Sequence, residues 1–150
     1  NDSIQQVVKA IEDGADIKAF EPFIILPDGK IEGGLDILQT ACSPSPGRRV
    51  PLEVVAILLD AGADPNQVNP YMGGGALHRI AEFLPSNGAE VATLLIQGGA
   101  IPTIELISEA LMSEVAWVNK AISEQAIPLV ETLWNFILIE KGAQLGEGHV

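Results

Sequence analysis

Cys42, His78 and a few clustered carboxylates are the residues of this chain whose types could do chemistry. A thiol beside an imidazole makes a nucleophile and its base. Here the lone cysteine stands in an apolar run, LDILQTAC, which predicts a buried small hydrophobe and not a reactive thiol. The two histidines, His78 and His149, lie far apart in sequence and form no zinc-ligand spacing with Cys42. Acidic groups such as Asp60 with Asp64, or Glu12, Asp13 and Asp16, could serve acid–base work. They fall at the ends of apolar runs, and no nucleophile or metal cluster accompanies them in the sequence. The glycines of GGG (73–75) and DGKIEGG (28–34) lack the Lys-Ser/Thr that a phosphate-binding loop needs. No Ser–His–Asp or Cys–His arrangement can be argued. The expectation is no catalytic residue, no metal and no cofactor within these residues.

The elements that carry those residues must come from a globular chain. Its 150 residues are 47% apolar with a mean hydropathy of +0.29, which predicts one domain with a real core. No apolar stretch reaches the roughly 18 residues of a membrane span. A net charge of −12 and a pI near 4.3, with eight Lys and Arg in all, argue against nucleic-acid binding. An acidic surface favours solubility and can steer a chain to basic partners. A single cysteine cannot form an internal disulfide, which favours a reducing, intracellular (cytoplasmic) setting. An effector secreted into a host cell is the alternative. The chain opens at Asn1 without an initiator Met, which reads as a piece of a longer protein.

A Gly-Ala pair recurs four times, at Gly14, Gly62, Gly99 and Gly142, each after an apolar run. The lead-ins are IQQVVKAIEDGAD, LEVVAILLDAGAD, AEVATLLIQGGAI and LWNFILIEKGAQL. In the second, Val54, Val55, Ile57, Leu58 and Leu59 form one stripe at helical spacing. Each glycine then stands where a helix C-terminus needs a left-handed residue. The intervals are 48, 37 and 43 residues, so no fixed period exists. On LLDAGADPN (58–66) and the degraded helix start GALHRIA (75–81), the chain resembles the ankyrin repeat family. That unit is about 33 residues of finger, helix, turn and helix. DILQTAC (36–42) keeps less of the pattern, only Leu38 and the small pair Ala41-Cys42. The extra length falls in the connections, in residues 17–34, SPSPGRR (43–49) and FLPSNGAE (83–90).

The expected architecture is all-α, an ankyrin-type solenoid of stacked helix pairs with a β-hairpin lengthening its first finger. Armadillo- or HEAT-like helical solenoids are the alternative. Residues 3–19 form a half repeat or cap, 20–66 and 67–103 are repeats, and 104–145 are a divergent C-terminal repeat or cap. Phe23 to Leu26 favour a strand and PDG (27–29) a turn. That hairpin either packs on the neighbouring finger or offers a docking surface. Residues 103–141 read as helices, a new one starting at Pro128 with Leu129, Val130, Leu133, Trp134, Ile137 and Leu138 inward. Trp117 and Trp134 are expected to pack in the core or cap. Ser43-Pro44 and Ser45-Pro46 are possible phosphorylation sites in a solvated loop.

The resemblance implies a binding module that holds another protein on its finger tips and first helices. It also implies that His78 is structural, its ring bonding backbone groups. Aromatic, Met and Arg residues anchor interfaces. Those at finger or first-helix positions are Phe20, Phe23, Tyr71, Met72 and Arg79, with polar neighbours Asn66, Gln67, Asn69 and Glu82. Tyr71 and Met72 are the leading anchors. The alternatives are an accessory or targeting domain of a larger enzyme or effector, with catalysis outside these residues, and a self-associating piece. No nucleic acid or membrane span enters any of these readings.

Overall fold

Apolar residues at three- and four-residue spacing fold as helices, and the glycine, proline and asparagine clusters fall between them. The computed structural model describes residues 2–71, 73–113 and 120–148. The described residues are mostly helical, with one short sheet. In chain order the elements are α1 (Asp2–Glu12), β1 (Phe23–Ile25), β2 (Ile31–Gly33), α2 (Ile37–Ala41), α3 (Leu52–Asp60), α4 (Ala76–Phe83), α5 (Gly88–Gln97), α6 (Ile104–Leu111), α7 (Lys120–Ser123) and α8 (Ala126–Gly148). The strands pair antiparallel, Phe23 opposite Gly33 and Ile25 opposite Ile31. Between them, the Gly29 amide donates to the Leu26 carbonyl at 2.8 Å, and Asp28 accepts from the Lys30 amide at 3.0 Å.

The helices lie in two rows. In one, α4 packs against both α2 and α6; in the other, α3 packs against α1 and α5, and α5 against α8. The pairs α2–α3, α4–α5 and α6–α8 join the rows. The core runs between them through Leu38, Leu58, Ile80, Leu95, Leu106 and Leu133, all at most 2% exposed. Burying one such side chain stabilises the fold by about 1.5–3 kcal/mol.

One turn is built three times. Gly14, Gly62 and Gly99 have φ of +87°, +99° and +109°. The alanine after each donates back five residues: Ala15 to Ala10 at 3.0 Å, Ala63 to Leu58 at 2.9 Å, Ala100 to Leu95 at 2.9 Å. This left-handed cap satisfies carbonyls that a helix end would leave bare. Asp16 and Asp64 then accept from the amides of Lys18 and Asn66, at 3.0 and 2.8 Å. The side chain of Asn66 reaches the next corner, donating to the Gly99 carbonyl at 2.8 Å and accepting from the Ile101 amide at 3.0 Å.

The fourth corner is not built. Gly142 lies inside α8, without a positive φ, and the helix continues to Gly148. Pro65 and Pro102 stand three residues beyond Gly62 and Gly99 and cannot continue a helix, whereas Gln144 and Leu145 can.

The C-terminal region differs from expectation in two further ways. The helical reading of 103–141 breaks after Leu111, and α8 begins at Ala126, which places Pro128 in its first turn. Leu129, Leu133 and Ile137 face the core, but Trp134 is 45% and Leu138 48% exposed. Each follows a core residue by one position and so points about 100° around the helix from it. Trp117 lies outside the described residues.

At the other end of the helix pairs, the two long connections are tied to each other. The Asn87 side chain accepts from the Val50 amide at 2.8 Å and donates to the Val50 carbonyl at 2.9 Å. The Ser86 amide donates to the Arg48 carbonyl at 3.0 Å. Leu84, wholly buried, closes α4 in a left-handed conformation with φ of +48°. The buried side chain there offsets a backbone strain on the order of 1–3 kcal/mol.

Candidate functional site

Residues 64–75 form the finger between α3 and α4, and most of the expected site residues sit on it or beside it. Its foot is held by a buried polar network. Asp36 caps α2, its carboxylate accepting from the Gln39 amide at 2.7 Å, while Gln39 reaches back to the Asp36 amide at 3.4 Å. This capping box satisfies donors at the helix start. The other Asp36 oxygen accepts from Gln67 Nε2 at 3.0 Å, and Gln67 Nε2 also donates to the Lys18 carbonyl at 2.8 Å. Gln39 Nε2 donates to the Gln67 carbonyl at 2.8 Å. Asn69 Nδ2 donates to the Gly34 carbonyl at 2.9 Å and to Gln39 Oε1 at 3.1 Å. Burial pushes the Asp36 carboxyl above its usual range. The bonds from Gln39, Gln67 and Leu38 pull it back, and the Asp64 charge adds to the rise.

These contacts sort the expected residues. Asn69 and Arg79, expected on the binding face, are buried at 1% and 4% exposure. The reason is local. Asn69 spans the finger, its side chain accepting from the Tyr71 amide at 2.8 Å and its backbone amide donating to the Gly74 carbonyl at 2.8 Å. Arg79 Nη2 donates to the Gly73 carbonyl at 2.9 Å, and Nη1 lies 3.5 Å from Glu82. Asn66 and Gln67 spend their amides on the neighbouring turns, as above. Tyr71 is 40% exposed at the finger tip, with Val68 at 62% beside it. Phe20 is half-buried on the approach to β1, and Glu82 is exposed on α4. Met72 and the side chain of Phe23 lie outside the described residues.

Val68 was not among the expected residues, nor were Ile24, Ile25, Ile101 and Ile104, all of them exposed. Alternation signals such residues weakly, because nothing local tells an outward isoleucine from an inward one. The Asp36 box, by contrast, is spelled D-x-x-Q at 36–39 and is readable from sequence.

The finger covers a cleft of about 150 Å³ lined by Val68, Leu77, His78, Ile101, Thr103 and Leu106. His78 is half-buried and packs over Gly74, where its ring leaves no room for a Cβ. Its ring has no hydrogen-bond partner among the described residues, so the backbone bonds implied above are not seen. Cys42 is wholly buried, and burial, helped by the Asp36 charge, pushes its thiol far up. A thiol so held is not a nucleophile near neutral pH. Among the described residues no His, Cys, Asp and Glu gather into a cluster that could hold a metal ion. No helix among them is long and apolar enough to cross a membrane. Compared with models of known protein families the chain matches none, and compared with curated proteins it matches none.

Proposed function

We propose that this chain is an ankyrin-type solenoid that holds a partner protein through its finger side. The thrice-built left-handed corner, the two rows of helices and the Asn66 bridge to the next turn support the architecture. One observation carries the function. Val68, Tyr71 and Ile101 stand exposed on successive fingers of a strongly acidic chain, while the polar residues around them bond inward. Exposed apolar residues of this kind mark interaction surfaces when they adjoin one another. Ile101 and Val68 line one cleft, so these two do adjoin. The sealed Cys42 takes the one thiol out of this reading as a nucleophile.

The test is a variant carrying Tyr71→Ala and Val68→Ala. Against a partner recovered by affinity capture and then purified, affinity is expected to fall at least about tenfold with an unchanged melting profile. Affinity within about twofold of the parent, with the fold intact, would end the reading.

A further inference from the structure

We propose that a second cleft, between the α5–α6 turn and the C-terminal half of α8, takes a basic amphipathic segment of a partner protein. Ile101, Pro102, Ile104 and Glu105 form one wall, and Ile137 and Glu140 the other, around about 270 Å³. On the far side of Ile101 and Pro102 the surface continues over Ile96, Phe136 and Ile139, around a further 320 Å³ or so. Ile101, Ile104 and Ile139 are 61%, 56% and 68% exposed. No described residue covers this surface. It is a concave strip of mixed lining, with isoleucines along it, Glu105 on one wall of the first cleft and Glu140 bordering both clefts.

The charge around it selects the occupant. Lys120 is the only basic residue between Arg79 and Lys141, against eight glutamates from Glu82 to Glu140. Glu105 and Glu140, at the cleft itself, are exposed and free to meet cations. A segment with leucine-like residues on one face and Lys or Arg along its edges would bury its apolar face on Ile101 and Ile104. Its cations would lie against the two carboxylates. Such rim charges set encounter rate and partner choice, and the apolar anchors set residence. Nucleic acid and anionic lipid carry the wrong sign for this rim. A second copy brings a net charge of −12, and its only adjacent basic pair is the exposed Arg48 and Arg49.

This inference rests on the chain being an interaction module and shares Ile101 with the finger-side surface, but it uses neither Val68 nor Tyr71. The probe is a fluorescent synthetic helix with Leu at helical spacing and Lys elsewhere, read by anisotropy against the whole chain. A matched peptide with Glu for every Lys is the control. The Lys peptide is expected to bind at least about tenfold more tightly than the Glu peptide. The variant Glu105→Lys/Glu140→Lys should weaken it at least about tenfold, with an unchanged circular dichroism spectrum. Glu12→Lys/Asp13→Lys, the same charge change at the C-terminal end of α1 and the residue after it, should not, and Tyr71→Ala/Val68→Ala should leave it unchanged.

Equal binding of the two peptides, equal loss in the α1 variant, or no binding up to about 1 mM would overturn the proposal. So would self-association by sedimentation that Glu105→Lys/Glu140→Lys abolishes, since that assigns the cleft to a second copy. None of these outcomes decides the finger-side reading, which is tested by its own variant at Tyr71 and Val68.

Discussion

At the loop end of the helix pairs, Val50, Leu84 and Pro85 are buried, and Asn87 spends both sides of its amide on Val50. At the finger end, Val68, Tyr71 and Ile101 stand in solvent, while Asn69 and Gln67 turn inward. Both ends carry long, polar, proline- and glycine-containing connections. They differ in which side chains are left over. The loop end uses its apolar residues to extend the core and its asparagine to close two buried backbone groups. The finger end uses its polar residues for the same closure and leaves the apolar ones outside. Apolar side chains at the loop end thus add to the core, and those at the finger end stay exposed.

That contrast is broken most directly at Asn87. Asn87→Ala leaves the buried Val50 amide and carbonyl without partners, and is expected to cost about 2–4 kcal/mol in urea unfolding. A cost under about 0.5 kcal/mol would mean that the two connections are not joined.

The corners sharpen it next. Gly62→Ala forces a side chain into a left-handed turn and should destabilise by about 1 kcal/mol or a little more. Gly142→Ala sits inside α8 and should stabilise by up to about 1 kcal/mol. Equal losses at both would place a corner at Gly142 after all.

A smaller effect concerns Asp36, at the foot of the finger. Its folded-state pKa is raised above 3.8 by burial. The folded chain thus holds that proton more tightly than the unfolded chain does, and stability falls as pH rises from about 4 through the folded value. Asp36→Asn cannot ionise and should remove that slope, read as the urea midpoint against pH. A parent and variant with parallel pH profiles would show that the network imposes no such shift. Smallest of all, Val68→Ala should change stability by less than about 0.5 kcal/mol, since its side chain is mostly outside the fold.

What could be read in advance was whatever depends on neighbours in sequence. The apolar stripe of 54–59 and the glycine after it specify a helix and its left-handed end, and α3 and Gly62 follow. Gly142 carries the same local signal and turns out helical, because the helix stop depends on residues farther along the chain. Asn69 and Arg79 look like surface groups by type. The Asn69 partners Gly34 and Gln39, 35 and 30 residues away, are brought to it only by the fold, and the Arg79 partner Gly73 depends on how the finger turns. Asn87 and Val50 stand 37 residues apart, and no periodicity connects them. Trp134 shows the same limit in reverse: an apolar residue one step off the core face is not buried by being apolar.

The division of labour between the two ends can be read in one experiment, amide hydrogen exchange of the intact chain with and without its captured and purified partner. Added protection should fall on residues 64–75 and 100–105, with residues 43–49 and 84–88 unchanged. Protection confined to 43–49 and 84–88, with the fingers exchanging as before, would contradict the assignment of the finger side as the working surface.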